Sequence, residues 1–341
     1  MTIVQQDIND IIRQEASILG QFRGASIMIT GATGLVGSML VRVLCEANKT
    51  LDLNIRIIAS VRDISKAERL FIDIQNRGEL EYLLGTDAAC DYIIHLISPT
   101  RSRFFISNPV ETIKASVLST VEILEVAKKN QSKLIYLSSM EQYGVPYQAG
   151  EIMTEEKIGV IDHLDIRSSY SESKRLCECL CASYAAEYGV DVKIARLAQT
   201  YGAGAPLSDD RMPMQFAKAV INNRDIVLHT NGKSISNCVY LADAIRALFL
   251  ILVKGERGQA YNICNDTDIK SVYEIAQVVA QKVAQKRIKV QIDIPATATG
   301  YAPDVNMFLS TEKLRGLGWN AQYNVEEGYG RLVQYLRECL L

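Results

Sequence analysis

The chain has 341 residues, of which 48% are hydrophobic and 22% are charged, and its formal net charge is -2 at pH 7. These values are typical of a globular protein of one large or two smaller domains, and they supply no basic surface for nucleic acid or for an anionic membrane. No stretch approaches the ~20 apolar residues of a membrane span. Residues 1–15 lack the layout of a signal peptide and the eight cysteines show no secretory context, so we expect a cytoplasmic protein with reduced thiols.

The first predicted elements are a helix and a strand that lead into a glycine-rich turn. An amphipathic helix is predicted at 7–22, within an N-terminal helical extension of residues 1–24 that packs on the outside of the domain. A short apolar strand is followed by Gly31, Gly34 and Gly37, and then by an apolar-periodic helix. These glycines allow, in turn, a tight turn, approach of main-chain N–H groups to a pyrophosphate, and close helix–strand packing. The helix N-terminus then faces the phosphates, so the turn predicts a dinucleotide site, with an ordinary tight turn as the alternative.

The second strand, predicted at 54–60, bears on which dinucleotide suits the site. In NAD sites the end of this strand usually carries Asp or Glu for the adenosine ribose hydroxyls. Here Ser60 ends the strand and Arg62 and Asp63 follow, so the acid is absent or displaced to Asp63. Arg62 with a small hydroxyl residue suits a ribose 2′-phosphate, which favours NADP, but a solvated surface charge at Arg62 explains the sequence equally well. The choice between NAD and NADP stays open.

Two later strands, predicted at 91–98 and 134–137, end in small and polar residues. The first ends at Ser98 and includes His95, which we interpret as a core histidine because it lies within an apolar run. The second strand leads directly into Ser138 and Ser139. A helix is predicted between the two strands, at 109–128. This alternation of strands and helices predicts right-handed crossovers and a parallel, doubly wound α/β sheet.

Tyr170 and Lys174 form a second chemical signal, because they lie four residues apart on one face of a predicted helix. An ammonium beside a tyrosine stabilises the phenolate, so we expect a lowered pKa for Tyr170. The tyrosine then exchanges a proton with a substrate oxygen during hydride transfer, Ser139 hydrogen-bonds that oxygen, and Lys174 reaches the nicotinamide ribose. Alone, such a pair usually marks a solvated helix face. In a chain that also carries the glycine-rich turn and the serines at the strand end, the pair predicts a catalytic group.

Further motifs run along the chain, and together with these two signals they resemble the extended short-chain dehydrogenases/reductases of the nucleotide-sugar epimerase/dehydratase group. The resemblance covers roughly residues 26–336 and includes Thr30-Gly31-Ala32-Thr33-Gly34-Leu35-Val36-Gly37, His95-Leu96, Ser138-Ser139, Tyr143-Gly144, Tyr170 with Lys174, Ala195-Arg196, Thr200-Tyr201-Gly202, Asp304 and Leu317-Gly318-Trp319. Four segments are most similar to UDP-glucuronate decarboxylases, with dTDP-glucose 4,6-dehydratases next: His95-Leu96-Ile97-Ser98-Pro99, Arg167-Ser168-Ser169-Tyr170, Lys174-Arg175 and Asp210-Arg211.

Taken with these motifs, the resemblance implies a set of site residues and no metal ligands. The residues implied for the cofactor, NAD or NADP, are Gly31, Ala32, Thr33, Gly34, Leu35, Val36, Gly37, Arg62, Leu96, Ser98, Ser116, Tyr170, Lys174 and Leu197. The residues implied for a nucleotide-sugar substrate are Ser98, Arg103, Gln199 and Arg211. The implied catalytic residues are Ser139, Glu141, Tyr170 and Lys174.

The resemblance also implies a reaction through a 4-keto sugar. Oxidation at C4 acidifies the adjacent carbon, water or carbon dioxide is lost, and hydride returns. Glu141 stands where dehydratases and decarboxylases of the group place a glutamate beside the sugar, as a base at C5 or to position the substrate, with a surface glutamate as the alternative. Met140 stands where dTDP-glucose dehydratases carry an aspartic acid proton donor. We expect a dehydratase or decarboxylase-type lyase; the alternatives are a nucleotide-sugar 4-epimerase or reductase, and a non-catalytic dinucleotide-binding module.

Four positions depart from the pattern of the group: Ser116, Gln199, Ser236 and Tyr301. At Ser236 and Tyr301 the group carries arginines, of which the first grips the substrate diphosphate. Losing two such cations removes charge-assisted hydrogen bonds from the substrate site. Either Arg103, Arg211 or Lys233 compensates, or the substrate is not the usual diphosphate sugar, and both alternatives stay open.

The remainder of the chain predicts a second, smaller lobe. We assign 25–200 and about 233–264 to a Rossmann-like NAD(P)-binding domain, and 201–232 and 265–341 to an α/β substrate-binding lobe with an amphipathic helix at 271–286. The substrate is expected between the two, at the carboxyl ends of the parallel strands.

The predicted helix after Tyr170 carries Cys177, Cys179 and Cys181. Residues two apart on a helix point to different faces, and no His or acidic cluster completes a tetrahedral set, so we interpret these as structural thiols and expect no metal. In the group that the chain resembles, this helix commonly forms the dimer contact. The resemblance therefore implies a homodimer.

Overall fold

The computed structural model describes residues 1–74, 79–100, 102–295 and 306–340. The strands are Ser26–Thr30 (β1), Arg56–Val61 (β2), Leu80–Leu84 (β3), Tyr92–His95 (β4), Lys133–Ser139 (β5), Glu151–Met153 (β6), Val192–Leu197 (β7), Gln199–Tyr201 (β8), Ile226–Leu228 (β9), Ile235–Ser236 (β10), Cys238–Tyr240 (β11), Ala260–Ile263 (β12), Lys270–Ser271 (β13), Val290–Ile292 (β14) and Met307–Leu309 (β15). The α-helices are Ile3–Leu19 (α1), Leu35–Leu51 (α2), Ile64–Leu70 (α3), Ser102–Ser107 (α4), Pro109–Asn130 (α5), Ser169–Tyr188 (α6), Met212–Ile221 (α7), Leu241–Lys254 (α8), Val272–Val278 (α9), Glu312–Gly316 (α10) and Val325–Leu340 (α11). None of these described helices is long and apolar enough to cross a membrane.

A central sheet of seven parallel strands, in the order β12-β7-β5-β4-β1-β2-β3, confirms the predicted doubly wound α/β fold. The strand order reverses between β1 and β4, and in sheets of this kind ligands bind at such a switch point, beyond the carboxyl ends of the strands. The register places Thr30 beside Ser60 on one side and His95 on the other. The residues that end β1, β2 and β4 therefore lie at one edge of the sheet.

Helices cover both faces of this sheet, which explains why its central strands are apolar throughout. Ile27, Met28 and Ile29 of β1 are fully buried, as expected for a parallel strand with helices on both sides. One face packs against α2 and α8, and the other packs against α5 and α6. These helices fix the ends of the strands, and with them the edge that carries the chemistry.

The N-terminal helix was predicted at 7–22 and is observed as α1 followed by a 3₁₀ turn at Gly20–Phe22. It lies outside α8, as expected, and covers it, so that α8 is buried along nearly its whole length. Polar contacts attach α1 to later elements: Tyr240 donates a hydrogen bond to Asp7 at 2.7 Å, and Arg246 donates to Glu15 at 2.9 Å. The first residues of the chain are thus held by the last third of it.

Outside the central sheet, the described residues form four two-stranded sheets: β10-β13, β11-β8, β14-β9 and β15-β6. The helix predicted at 271–286 is observed in two parts, because α9 ends at Val278 and a π-helical turn follows at Val279–Val283. Edge strand β3 was not predicted, since its alternating half-buried and exposed residues carry no clear apolar period. The division of the chain into two lobes remains a prediction.

Candidate active site

The glycine-rich turn connects β1 to α2, and its geometry matches the predicted roles of the glycines. Gly31 has φ +64°, a left-handed conformation that favours glycine. A Cβ on Gly37 would lie 2.4 Å from the Gly31 carbonyl oxygen and 2.8 Å from Ala32 Cα, so only glycine lets α2 approach the turn. Gly34 precedes the first turn of α2 and donates a hydrogen bond to Gly31 O at 3.0 Å. These residues leave a cradle of main-chain N–H groups that fits the pyrophosphate of a dinucleotide.

The other predicted cofactor residues lie along the same edge. Thr33, Leu35 and Val36 stand in the turn and at the start of α2. The main-chain N of Leu96 donates to Thr30 Oγ1 at 3.0 Å, beside Gly31. Further along the edge, two pairs of predicted residues are neighbours: Ser98 with Ser116 (Oγ to Oγ, 3.3 Å), and Ser139 with Leu197 (paired in the sheet).

The end of β2 leaves one side chain for the adenosine ribose. Ser60 donates its hydroxyl to Gly85 O at 2.6 Å, and Asp63 caps α3 by accepting from Lys66 N at 2.9 Å. Both groups are therefore committed to structure. Arg62 is exposed and makes no ion pair with a described residue. The displaced acid considered at Asp63 is thus an N-cap, and Arg62 remains the charged candidate.

Tyr170 is buried at the start of α6, 7% exposed, and forms a side-chain hydrogen bond with Ser139. The ring of Phe105 stacks on it, with ring centroids 4.3 Å apart and planes 6° apart. Burial raises the pKa of Tyr170, the charge of Glu141 raises it further, and the hydrogen bond with Ser139 lowers it only in part. The expectation of a lowered pKa for Tyr170 is therefore wrong.

The position of Lys174 explains this difference. Its ammonium donates to the Leu137 carbonyl at 2.8 Å and lies 4.9 Å from the Tyr136 ring centroid and 5.7 Å from that of Tyr170. Burial lowers the pKa of Lys174 to about 8. Tyr170 and Lys174 share a helix face, as predicted, but the ammonium is directed at the carbonyl of β5 and away from a direct pairing with the phenol.

Glu141 belongs to a 3₁₀ turn at Met140–Tyr143, and Ser139 caps this turn by accepting from Glu141 N at 3.2 Å. Solvent reaches the Glu141 side chain, although protein surrounds most of it. This partial desolvation raises the pKa of Glu141, and the guanidinium of Arg167 opposes the rise. Because the charge of Glu141 raises the pKa of Tyr170, the two side chains are electrostatically coupled across the candidate site.

A buried polar network supports this turn from behind. Tyr143 donates its hydroxyl to Asn262 Oδ1 at 2.8 Å and accepts from Arg196 Nη1 at 2.8 Å. Arg196 also pairs with Glu178 at 2.8 Å, and Ser138 donates to the same carboxylate at 2.5 Å. Ser138 and Tyr143 therefore hold the turn in place, while Ser139 and Glu141 face the candidate site.

His95 is a core residue, as predicted. Its Nδ1 lies 2.8 Å from Thr30 Oγ1 and its Nε2 lies 3.4 Å from Thr120 Oγ1. Burial lowers the pKa of His95 to about 3, with a smaller contribution from the charge of Lys174. The imidazole is neutral at physiological pH and fixes the ends of β1 and β4.

The predicted substrate residues lie on separate elements, unlike the predicted cofactor residues, which line one edge of the sheet. Gln199 begins β8, and Arg103 is exposed on α4, two residues before Phe105. Arg211 pairs in a fork with Asp209, at 2.7 Å from Nη2 to Oδ2, so its charge is already neutralised within the chain.

The structure describes only some of the positions at which the chain departs from the group's pattern. Ser98 and Ser116 lie together, as described above. Ser236 lies in β10, and Tyr301 and Asp304 lie outside the described residues. The cations to consider in place of the missing arginines are therefore Arg103, Arg211 and Lys233.

Sequence reasoning missed two residues that the structure brings to the site. Phe105 packs flat on Tyr170, and Arg167 acts electrostatically on Glu141. The segment 102–107 shows no hydrophobic periodicity that would predict a buried ring, so the sequence does not indicate that Phe105 lies at the site. Arg167 could have been predicted, because it lies three residues before Tyr170 in the segment Arg167-Ser168-Ser169-Tyr170, which resembles the decarboxylases. Among the described residues, no group of three or more His, Cys, Asp or Glu side chains is placed to hold a metal ion.

Several known proteins are similar to this chain in sequence or in fold. UDP-glucuronic acid decarboxylase 6 of Arabidopsis thaliana is 26% identical over 319 residues, covering 89% of this chain and 86% of the relative. An epimerase of Methanothermobacter thermautotrophicus has a similar structure, with a TM-score of 0.80, 20% identity and 95% coverage of both chains. A dTDP-glucose 4,6-dehydratase of Bacillus anthracis, solved in complex with NAD, superposes with a TM-score of 0.74 at 20% identity, covering 92% of this chain and 97% of that one.

The sequence profile of one family matches most of the chain. It is that of the NAD dependent epimerase/dehydratase family, and it covers residues 27–264, from β1 to just beyond β12. This span contains the glycine-rich turn, Ser139, Tyr170 and Lys174. The protein therefore belongs to the NAD dependent epimerase/dehydratase family and is an NAD(P)-dependent enzyme, as the sequence motifs predict.

Proposed function

We propose that the enzyme releases carbon dioxide from a nucleotide-linked uronic acid through a 4-keto intermediate. The observation that carries this proposal is the coupling of Glu141 to Tyr170, which puts a carboxyl group of raised pKa beside the predicted oxidation site. The similarity to UDP-glucuronic acid decarboxylases over 89% of the chain supports the same reaction. A plain 4-epimerase needs no such group, because its ketose only rotates before hydride returns.

The residues that would hold the cofactor are those of the glycine-rich turn, with Ser98, Ser116 and Lys174 further along the edge. When bound, the oxidised cofactor supplies a hydride acceptor for C4 of the sugar and a positive charge. Ser139 orients the 4-hydroxyl by a hydrogen bond, and Tyr170 accepts its proton. Tyr170 can accept this proton only as its phenolate, and the charge of Lys174, 5.7 Å from the Tyr170 ring centroid, stabilises that phenolate before the proton is transferred.

Oxidation at C4 turns a C5 carboxylate into a β-keto acid, which sets up the loss of carbon dioxide. The C5–C6 bond breaks, and its electron pair moves into an enolate whose oxygen is the former 4-hydroxyl oxygen. Ser139 and protonated Tyr170 stabilise that oxygen by hydrogen bonds. Glu141, whose pKa desolvation raises, then donates a proton to C5 from its protonated form. The ketone is regenerated, hydride returns to C4, and Tyr170 gives its proton back to the 4-oxygen.

A second candidate is sugar 4,6-dehydration, which the fold similarity to the dTDP-glucose 4,6-dehydratase favours. In that reaction Glu141 removes the C5 proton, and an acid must protonate the departing 6-hydroxyl. The neighbouring residue is Met140, whose thioether cannot donate a proton. Decarboxylation has no leaving hydroxyl and needs no such acid, so it fits this turn better.

A nucleoside diphosphate needs cations, and three are candidates. Arg103 is exposed near Phe105, and Lys233 is exposed before β10. Arg211 has to share its guanidinium with Asp209. We propose that Arg103 supplies a charge-assisted bond to the diphosphate, in place of the arginine that the family carries at Ser236.

We further propose a homodimer in a reducing, cytoplasmic compartment. Apolar side chains are exposed on α5 and α6, at Val110, Ile113, Leu118 and Leu176, where a second copy would cover them. None of the eight cysteines, all of which lie in the described part of the chain, forms a disulfide, and six of them are buried. Light scattering of the purified enzyme measures the assembly directly, and a monomer mass contradicts the dimer.

The variant Glu141→Gln tests the proposed chemistry. Oxidation at C4 does not involve Glu141, so reduced nicotinamide should still form on adding UDP-glucuronic acid. Proton transfer at C5 is lost, so product should form at least about 100-fold more slowly. Glu68→Gln, an exposed carboxylate on α3, is the matched control and should behave like the wild type. Full product formation by Glu141→Gln at the normal rate contradicts the role of Glu141.

A further inference from the structure

Arg167 lies in a 3₁₀ turn at Ile166–Ser168, directly before α6 and three residues before Tyr170. Its main-chain N donates a hydrogen bond to Asp165 Oδ1 at 2.9 Å, which caps the turn. The turn contacts α4, the helix whose Phe105 ring stacks on Tyr170. The main chain thus holds Arg167 close to the catalytic tyrosine, and the reaction proposed above gives its side chain no role.

The guanidinium of Arg167 is a half-buried cation without a direct partner. It forms no ion pair and no side-chain hydrogen bond with any residue that the structure describes. Its charge nevertheless acts on Glu141: desolvation raises the pKa of that carboxyl group, and Arg167 lowers it. The two charged groups are therefore neighbours that do not pair, and the guanidinium remains available to another carboxylate.

The other cations around the turn that carries Glu141 are bound within the protein. Lys174 donates to a main-chain oxygen of β5 at 2.8 Å, and Arg175 donates to main-chain oxygens of the turn itself, the shorter of these bonds being 2.6 Å. Arg196 pairs with a buried carboxylate of α6 at 2.8 Å. Of these four described cations, Arg167 is the one whose guanidinium is not already used.

The proposed reaction brings a second carboxyl group to Glu141. C5 of the sugar carries the carboxylate that is lost, and the same carbon receives the proton from Glu141, so the two carboxyl groups come close together. Two carboxylates that share a site repel each other, and a nearby cation offsets that repulsion. A guanidinium suits this task, because its planar fork binds a carboxylate through two parallel hydrogen bonds.

We propose that Arg167 binds the C6 carboxylate of the nucleotide-linked uronic acid and thereby selects this substrate over neutral nucleotide sugars. This role rests on the decarboxylation proposed above. Once the substrate offsets its charge, Arg167 no longer favours the charged form of Glu141, which stays beside C5 as the acid. Carbon dioxide is uncharged, so the pair with Arg167 weakens as the C5–C6 bond breaks. The pair therefore contributes to substrate binding and not to the chemical step.

Calorimetric titration of the full chain saturated with NAD(P)H tests the proposal, because a reduced cofactor cannot accept hydride and the sugar is not turned over. The wild type should bind UDP-glucuronic acid at least about tenfold more tightly than UDP-glucose, which has a neutral hydroxymethyl group in place of the carboxylate. Arg167→Gln should abolish this preference without changing the affinity for UDP-glucose, and Arg167→Lys should keep part of it. Arg224→Gln, an exposed arginine between α7 and β9, is the matched control and should bind both sugars like the wild type.

Steady-state kinetics separate this role from a merely structural one. Arg167→Gln should raise KM for UDP-glucuronic acid at least about tenfold and leave kcat within about twofold of the wild type. The proposal is overturned if the wild type binds both sugars equally, if Arg167→Gln keeps the preference or loses affinity for both sugars alike, or if kcat falls while KM stays unchanged.

Mass spectrometry of the products distinguishes failure of this role from failure of the proposed reaction. Release of carbon dioxide together with a preference that does not depend on Arg167 overturns the role of Arg167 and leaves the decarboxylation intact. A preference that depends on Arg167, without release of carbon dioxide, supports carboxylate binding by Arg167 and contradicts the decarboxylation.

Discussion

The variant Gly37→Ala tests the claim that α2 must lie directly on the dinucleotide turn. An alanine Cβ would lie 2.4 Å from the Gly31 carbonyl oxygen, 1.0 Å inside the 3.4 Å at which ordinary contact begins. Both that oxygen and Ala32 Cα are main-chain atoms, so no flexible side chain relieves the clash. Overpacking of this kind costs about 1–3 kcal/mol, and we expect the upper part of that range. Because the helix must move away from the turn, NAD(P) affinity should fall by at least about tenfold.

Gly330→Ala is the matched control for this variant. Gly330 lies inside α11, and an added Cβ meets nothing within 4 Å. Alanine there should leave cofactor affinity unchanged and raise stability by about 0.5–1 kcal/mol. Urea denaturation and fluorescence titration with NAD(P)H measure both quantities. Wild-type stability and wild-type affinity for Gly37→Ala would refute the reasoning, because the helix would then not need its close approach.

Three further predictions concern single side chains. Tyr170→Phe should lower turnover at least about 1,000-fold, because it removes the proton acceptor, while fluorescence titration shows NAD(P)H affinity nearly unchanged; activity near that of the wild type would contradict the mechanism. Arg62→Ala should weaken NADP binding about tenfold or more and leave NAD binding unchanged, with the exposed Arg69→Ala as control; equal effects on both dinucleotides would exclude a contact with the 2′-phosphate. Burial raises the pKa of Asp7 from 3.8 to about 6, so the folded state binds the proton more tightly than the unfolded state. That stabilisation is complete below pH 4 and is lost as pH rises towards 6, a fall of about 3 kcal/mol that Asp7→Asn should lack in urea denaturation; identical pH dependence in both proteins would contradict it.

Short-range signals were sufficient to predict the glycine-rich turn and the common helix face of Tyr170 and Lys174. The roles of Gly31 and Gly37 follow from their spacing between an apolar strand and a helix, and the structure confirms the turn geometry. Likewise, the spacing of Tyr170 and Lys174 places both on the buried face of α6. Each of these predictions depends only on neighbours within a few residues, and local geometry determines the outcome.

Features that depend on tertiary packing could not be read from the sequence. The stacking of Phe105 on Tyr170 joins residues 65 positions apart. The raised pKa of Tyr170 comes chiefly from burial, which no local pattern reveals. The same holds for the direction of the Lys174 ammonium on α6, which donates to the carbonyl of Leu137 on β5.

Asp63 shows that one residue type at one position is compatible with two functions, which the sequence alone cannot distinguish. At the end of β2 an acid reads equally well as a ribose ligand and as a helix N-cap. The structure uses it as the N-cap of α3, through Lys66 N at 2.9 Å. The two functions need the same residue type at the same strand end, and only the position of the next helix separates them.

The central claim is that this enzyme removes carbon dioxide from a nucleotide-linked uronic acid through a 4-keto intermediate. Mass spectrometry of the purified enzyme incubated with NAD and a panel of UDP-, dTDP-, GDP- and CDP-sugars, UDP-glucuronic acid among them, tests it most directly. The account predicts that one uronic acid loses the mass of carbon dioxide and that neutral sugars keep their mass. Loss of the mass of water from a neutral sugar would identify a dehydratase, an unchanged mass with altered retention would identify an epimerase, and either result would contradict the claim.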